Sequence, residues 1–220
     1  RKGQLAPDCG FDSYCLWHYP GTSRARYWQP SIIRDGKLME TTKEDYGPDI
    51  FTDYLIEFIK QNKEGPFFAY YPMVLVHSPF PRTPASPPSG EGGKLESYRA
   101  MVSYADKCVG RIVDALDALG IRENTVVIYT ADNGTGRSLT YPFGGEQRQG
   151  EKAWTTDGGT HAPLIVNCPG TVPAIVSDDL VDFSDFLPTL AAITGAKLPA
   201  VSLDGRSLWP PTVDCRRRLF

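Results

Sequence analysis

Apolar residues recur at helical spacing in three parts of the chain, and each part predicts a helix. The first covers residues 48–63, where apolar positions lie three or four apart and Pro48 falls in the first turn. The second is a longer stripe of the same spacing at residues 101–119, followed by Gly120 as a C-terminal cap. The third covers residues 184–193, with Ser184 as N-cap, a proline in the first turn and a glycine just past the end.

Unbroken apolar runs alternate with these helices and predict strands. Residues 66–76 form one run, and a loop rich in Pro, Ser and Gly follows it as far as Gly93. Residues 125–131 are rich in β-branched side chains, which predicts a strand buried on both faces. Residues 164–167 predict a third, short strand. This alternation of strand and helix predicts an α/β fold, with a layered sheet flanked by helices.

Composition narrows the possible classes of protein. A chain of 220 residues fits one domain or a large piece of a bigger one, and residues 1–45 are predicted to be irregular with short strands at most. A net charge of −3 argues against a general electrostatic grip on nucleic acid or anionic membrane. No apolar stretch approaches the roughly 20 residues that a membrane span needs. The five cysteines show no C-x-x-C spacing, so most are predicted to be buried thiols rather than zinc ligands or a full disulfide set.

Asp132, Asn133 and Gly134 directly follow the 125–131 run and allow three interpretations. Two oxygen-bearing side chains at the end of a buried strand could hold a hard cation. Asn-Gly is also a common tight turn, and from these residues alone that is the simpler interpretation. Asn133-Gly134-Thr135 is a glycosylation sequon as well, and a sugar there would exclude the metal.

Two further loops carry candidate chemistry. His77 follows the 66–76 run, and Lys152 lies in a Gly-rich segment, although each alone has an ordinary structural explanation. His161, just before the strand at 164–167, is interpreted as structural. Together, His77, the Asp132 loop and Lys152 would supply a proton-transfer group, a cation site and a positive charge. These parts suit a sulfate or phosphate ester held in one pocket, but they include no nucleophile.

Five segments, in order and at similar spacing, resemble the type I sulfatases of the alkaline phosphatase superfamily. They are the 66–79 run and His loop, the 98–120 helix, the 125–134 Asp-Asn-Gly loop, the 150–163 Lys segment, and the 186–208 helix with its Asp-Gly-x-Ser-Leu tail. The resemblance implies an alkaline-phosphatase-like sulfatase fold and hydrolysis of a small-molecule or carbohydrate sulfate ester. Periplasmic, secreted or lysosomal localisation is typical of this family, whereas the sequence itself indicates no compartment.

The resemblance also implies a role for each candidate residue. Asp132 and Asn133 would ligate a calcium ion, which favours the metal over the sugar at Asn133. Lys152 would bind a sulfate oxygen. His77 would contact the sulfate beside the leaving oxygen and is one candidate proton donor. Both Lys152 and His77 are therefore predicted to be catalytic and substrate-binding.

The chain departs from the family pattern at its nucleophile. Family members convert the first residue of a Cys-or-Ser-x-Pro-Ser-Arg motif to formylglycine, and none of the five cysteines here begins that motif. The early Asp-Asp metal ligands of the family are also missing, and Lys2 with Gln4 is at most a remnant of its Lys-x-His element. We therefore expect residues 1–220 to be the C-terminal portion of a sulfatase catalytic domain, inactive without the N-terminal half.

Two other functions fit the same residues. A phosphoester or phosphonate hydrolase of the same superfamily would use similar metal and lysine loops. A non-catalytic protein could keep the anion pocket without turnover. The residue at the nucleophile position would separate the first alternative from a sulfatase, and the genomic sequence just upstream of Arg1 would test the second.

Overall fold

The computed structural model describes residues 6–18, 25–87 and 93–209. Short 3₁₀ turns lie at Ala6–Cys9, Arg122–Asn124 and Phe183–Asp185. The helices are α1 (Gly47–Asn62), α2 (Lys94–Ala118), α3 (Asp157–Thr160) and α4 (Phe186–Thr194). The strands are β1 (Cys15–Trp17), β2 (Ile32–Arg34), β3 (Lys37–Leu38), β4 (Val127–Thr130), β5 (Thr140–Phe143), β6 (Glu146–Gln149) and β7 (Leu164–Asn167).

The chain divides into two compact units. The first contains the described residues up to Thr125 together with Tyr129–Ile165, and the second contains Val126–Ile128 and the described residues from Val166 onward. No helix within the described ranges is both long enough and apolar enough to cross a membrane.

The core of the first unit forms where α2 packs against Tyr27, Tyr46 and Leu75. The buried residues of α2 in this core lie three or four positions apart, so they share one face of the helix and pack together. The Tyr46 and Tyr104 rings meet edge to face with centroids 5.3 Å apart. Seven buried residues make up this cluster: Tyr27, Tyr46, Leu75, Met101, Tyr104, Ala105 and Cys108.

Polar contacts fix the two long helices relative to each other. The Tyr104 hydroxyl donates to Asp49 Oδ2 over 2.7 Å, and Arg111 donates to Asp49 Oδ1 over 3.1 Å. Arg111 also pairs with Asp53. Burial and the neighbouring Asp49 carboxylate raise the pKa of Tyr104, so its hydroxyl stays a neutral donor at physiological pH.

Both long helices confirm the sequence prediction. α1 has Pro48 in its first turn. α2 ends at Ala118, and Gly120, two residues further on, takes a left-handed conformation with φ +68°. α2 begins seven residues earlier than the predicted apolar stripe. The irregular N-terminal part is confirmed too, since β1, β2 and β3 form only a small antiparallel sheet.

The strand predicted at residues 66–76 is wrong. This run contributes Leu75 to the core but forms no ladder, and Phe68 and Tyr70 are 59% and 67% exposed. A strand exists through hydrogen bonds to a neighbour, and within the described residues no segment pairs with this run. Apolar composition alone therefore predicted a regular strand that does not form in this part of the chain.

The 125–131 strand exists as β4, but its predicted burial on both faces is wrong. β4 is only half-buried, and Tyr129 is 37% exposed. Among the strands that the structure describes, β4 pairs only with β7, which confirms the short strand at residues 164–167. Burial of a strand on both faces requires other elements packed against both faces of its sheet, and the partial exposure of β4 shows that the described residues do not provide this cover.

A hairpin lies between the Asp132 loop and the Lys152 segment, where the sequence analysis predicted no strand. β5 and β6 pair antiparallel from Thr140↔Gln149 to Phe143↔Glu146. Gly144 and Gly145 make the turn, with φ values of +60° and +84°. A Gly-Gly pair supplies the two positive φ angles that a tight hairpin needs, so this dipeptide was the overlooked signal.

The second unit centres on the N-terminus of α4. The predicted helix is confirmed, including Gly195 after its end with φ +72°, but the predicted cap at Ser184 is wrong. Asp182 caps the 3₁₀ turn Phe183–Asp185 that leads into α4: its carboxylate accepts from the Ser184 backbone N–H over 2.8 Å, and Asp185 accepts from the Asp182 N–H. The N-cap position of α4 itself is Asp185, whose side chain makes no capping hydrogen bond to the helix. Buried Asp185 also accepts from the Arg206 N–H over 2.9 Å, which docks the Asp-Gly-x-Ser-Leu tail onto the helix start.

The cysteine prediction is confirmed only in part. Cys108 and Cys168 are buried, Cys15 is half-buried and Cys9 is exposed. Cys215 lies outside the described residues, as do Lys2 and Gln4.

Candidate active site

The Asp132 loop begins directly after β4 as a bend in the chain. Asp132 is exposed and Asn133 is half-buried, so both side chains are accessible from solvent. Neither Asn133 nor Gly134 has a positive φ angle. A type I′ turn centred on Asn133-Gly134 is therefore excluded, because it needs positive φ at both central residues.

Close backbone approach explains the glycine at position 134. A Cβ atom there would lie 2.0 Å from the Gly158 carbonyl oxygen and 3.1 Å from the Gly159 Cα. The Gly134 N–H donates to the Gly159 carbonyl over 2.9 Å. The Asp132 loop therefore lies directly against the segment that follows Lys152.

A second set of contacts joins the Lys152 segment to the same loop. The Lys152 N–H donates to the Thr135 carbonyl over 3.0 Å. Gly150 is buried, and a Cβ there would lie 2.5 Å from the Thr135 carbonyl oxygen and 2.4 Å from that of Gly136. Residues 132–136 and residues 150–159 thus form one backbone-to-backbone cradle, which we call the anion cradle.

Side-chain contacts within residues 151–161 connect the parts of the Lys152 segment to one another. Thr156 donates to the Glu151 carboxylate, and a Cβ on Gly158 would lie 2.7 Å from Glu151 Oε2. His161 Nδ1 lies 2.9 Å from Asp157 Oδ1, with both side chains mostly exposed. This contact lies at the C-terminal end of α3, and the structural interpretation of His161 stays a prediction.

His77 is held by a different part of the first unit. Its Nδ1 lies 2.8 Å from an Arg26 guanidinium nitrogen and 2.7 Å from the Ser78 carbonyl oxygen, to which Arg26 also donates. Arg26 itself sits over the Trp17 ring, 5.1 Å from its centroid. Both ring contacts use Nδ1, so Nε2 is the nitrogen through which His77 could address a ligand.

The Tyr27 hydroxyl fixes the backbone of the His77 loop through hydrogen bonds. Its hydroxyl lies 2.9 Å from the Val74 carbonyl oxygen and 2.5 Å from that of His77, and it accepts from the His77 N–H over 3.2 Å. Burial raises the pKa of Tyr27, so this hydroxyl remains a donor. Sequence analysis missed Arg26 and Tyr27, because fifty residues separate them from His77 and no local spacing connects the two segments.

The structure therefore brings the backbones of the Asp132 and Lys152 segments together and places His77 against residues 26–27. Whether the His77 imidazole joins the anion cradle in one pocket stays a prediction.

The oxygen donors of Asp132 and Asn133 suit a hard cation but do not complete its shell. Calcium takes about six to eight oxygen ligands, and a carboxylate and an amide supply two or three. Within residues 6–18, 25–87 and 93–209, no group of three or more His, Cys, Asp or Glu residues is placed to hold a metal. Any calcium held here would need further ligands.

Comparison with known proteins supplies the family context for this geometry. The sequence matches the family model described as Sulfatase over residues 2–196. Human arylsulfatase A is 39% identical over 153 residues, covering 68% of this chain and 29% of the human protein. The uncharacterized sulfatase YdeN of Escherichia coli K12 is 30% identical over 208 residues, covering 91% of this chain and 36% of its own. The chain thus spans 29–36% of the length of these two relatives.

A solved structure extends the likeness to three dimensions. Ps i-CgsB aligns with a TM-score of 0.69 and 30% sequence identity, covering 82% of this chain and 41% of that one. A second structure shows Ps i-CgsB in complex with k-i-k-neocarrahexaose. This likeness confirms the predicted α/β, alkaline-phosphatase-like fold class, of which this chain covers a part.

Proposed function

Because this chain belongs to the sulfatase family, we propose that it forms part of the catalytic domain of an enzyme that hydrolyses sulfate esters. One observation carries the proposal. The anion cradle joins the segment of Asp132 and Asn133 to the segment of Lys152 through the hydrogen bond from Lys152 N–H to Thr135 and the close approach of Gly134 to Gly158. The residues proposed to hold the cation and to supply the ammonium group are thereby carried on two segments whose backbones are joined, which supports a shared oxyanion site.

Asp132 and Asn133 would hold calcium through a carboxylate oxygen and an amide oxygen. The ion would supply Lewis-acid stabilisation of the sulfate oxygens, and its remaining ligands would come from other parts of the whole enzyme. Calcium thus remains a proposal that rests on the donor chemistry of these two residues and on the family resemblance.

Lys152 would neutralise a sulfate oxygen as negative charge shifts during the reaction. His77 would act through Nε2 beside the leaving oxygen, where a proton must be supplied to the departing alcohol. Arg26 and Ser78 orient the ring from its Nδ1 side, so they are positioning residues for His77.

The nucleophile of the whole enzyme would be a formylglycine, which supplies covalent attack on sulfur. None of the five cysteines in this chain begins the motif that the modification needs. We therefore propose that these 220 residues are the C-terminal portion of the catalytic domain and are inactive alone. The ester would be carried by a small molecule or a carbohydrate, and the neocarrahexaose complex of Ps i-CgsB supports the carbohydrate.

The test of the ammonium role is Lys152→Ala in the whole enzyme, with Lys43→Ala as a control at an exposed position. Loss of one transition-state donor should lower kcat/KM for a sulfate ester by about 10²–10³-fold, whereas Lys43→Ala should leave it unchanged. Full turnover in Lys152→Ala would refute the assignment. A preference of the wild-type enzyme for phosphate esters over sulfate esters would instead favour the phosphoester hydrolases of the same superfamily.

Calcium titration calorimetry tests the metal site without relying on turnover. Asp132→Ala in the whole enzyme should weaken calcium binding, and Asp106→Ala, at an exposed position of α2, should not. Equal calcium affinity in both variants would remove Asp132 from the ligand set.

A further inference from the structure

A cavity of about 410 Å³ opens next to the anion cradle, on the side of the β5–β6 hairpin. Its volume lies within the range of about 300–1,000 Å³ that is typical of small-ligand sites. Gly150 and Glu151 line the cavity, and Glu151 directly precedes Lys152 in the chain. The lining residues are Arg137, Arg148, Gln149, Gly150, Glu151 and Trp154.

Aromatic rings hold both arginines of this cavity. The Arg137 Cζ lies 5.3 Å from the centroid of the Trp154 ring, and the Arg148 Cζ lies 4.9 Å from that of Phe143. Stacking orients the plane of a guanidinium and leaves its N–H edge available for a ligand. The Gln149 side chain further anchors this region by donating to the Arg137 carbonyl over 2.8 Å.

The two guanidinium charges are not balanced by an ion pair within the described part of the chain. The ion pairs found among those residues involve other basic side chains. Glu151 also lines the cavity, but its carboxylate accepts the hydroxyl of Thr156. The cavity therefore presents two guanidinium groups and one carboxylate, so its lining keeps a net positive charge, and Lys152 follows Glu151 directly in the chain.

We propose that this cavity binds a second anionic group, a sulfate or a carboxylate, carried by the same carbohydrate as the ester at Lys152. The inference rests on the proposed function and names its substrate class as multiply charged sugar sulfates. A guanidinium fork matches the paired oxygens of sulfate and carboxylate, which makes Arg137 and Arg148 specificity residues. Trp154 and Phe143 position them.

Titration calorimetry of the chain at low ionic strength tests the cavity with three sugars. Galactose 4-sulfate carries one anion, galactose 4,6-disulfate adds a sulfate, and galacturonate 4-sulfate adds a carboxylate at the same carbon. The chain should bind a doubly charged sugar about tenfold more tightly than galactose 4-sulfate, as one charge-assisted contact provides. Whichever of the two doubly charged sugars shows this preference identifies the anion.

Arg137→Ala and Arg148→Ala should each reduce this preference and leave the affinity for galactose 4-sulfate unchanged. Arg99→Ala, at an exposed position of α2, is the matched control and should preserve the preference. Arg137→Gln and Arg148→Gln, checked by circular dichroism, serve if an alanine variant fails to fold. A chain with no preference for either doubly charged sugar, or a preference that survives in both arginine variants, overturns the inference.

The same titrations separate this inference from the proposed function. Lys152→Ala should weaken binding of all three sugars. If it weakens binding of none of them, the role proposed for Lys152 is refuted. The affinities for the singly and doubly charged sugars would still test the role of the two arginines.

Discussion

The close approach of Gly134 to the Gly158 backbone can be tested with a single methyl group. In Gly134→Ala the new Cβ would lie 2.0 Å from the Gly158 carbonyl oxygen, whereas ordinary contact begins at 3.4 Å. Both partners are backbone atoms, so no side chain can rotate away and the two segments must separate by about 1.4 Å. Such a separation breaks the 2.9 Å hydrogen bond from Gly134 N–H to Gly159.

The expected cost follows from these two effects. Overpacking strain costs about 1–3 kcal/mol, and the lost hydrogen bond adds about 0.5–1.5 kcal/mol. The free energy of unfolding should therefore fall by about 1.5–4.5 kcal/mol in Gly134→Ala. Gly136→Ala is the matched control, because a Cβ there meets nothing within 4 Å and neither glycine has a positive φ angle.

Urea denaturation followed by circular dichroism measures this difference. Both variants lose the same glycine freedom in the unfolded chain, so that contribution cancels in the comparison. Calcium titration of the same two variants in the whole enzyme should show weaker binding only in Gly134→Ala, because its loop must move. Stabilities of Gly134→Ala and Gly136→Ala that agree within about 0.5 kcal/mol would refute the close approach.

Three further predictions concern other parts of the chain. Tyr27→Phe removes the hydroxyl that holds the His77 backbone and should lower the free energy of unfolding, measured by urea titration, by about 1–3 kcal/mol. Tyr70→Phe, at a residue that is 67% exposed, is the control and should have little effect. Asp185→Ala leaves the Asp182 and Arg206 N–H groups without their buried acceptor and should cost about 2–4 kcal/mol; a cost no larger than that of exposed Asp178→Ala would contradict this. Burial raises the pKa of the Cys15 thiol to about 11, so at pH 8 only about 0.1% is thiolate and its alkylation should accelerate about tenfold per pH unit up to that pKa. Mass spectrometry of iodoacetamide-treated chain, with Cys15→Ser to assign the site, checks this, and a rate at Cys15 that does not change between pH 8 and pH 10 would be inconsistent with it.

Local pattern was sufficient for some parts of the fold. α1 and α2 follow from apolar spacing together with Pro48 and Gly120, since helix hydrogen bonds join residues four apart and need no distant partner. The glycine after α4 was predicted for a similar reason, since a helix end and its capping residue are adjacent in the chain. The short strand at residues 164–167 was also predicted correctly, although its pairing with β4 depends on a distant partner. The Gly-Gly hairpin was also within reach of the sequence, because its turn geometry is encoded in two adjacent residues.

By itself, the sequence determined the long helices, the α/β class and, through family resemblance, the identity of the candidate residues Asp132, Asn133, Lys152 and His77. Only the tertiary structure decided that Gly134 is a contact glycine rather than a turn glycine, that Arg26 orients His77, and that residues 66–76 form no strand in the described chain. The physical reason is the range of the interactions. Helix periodicity and turn dihedral angles are properties of neighbouring residues, whereas close backbone approach, strand pairing and the orientation of a ring depend on partners many positions away.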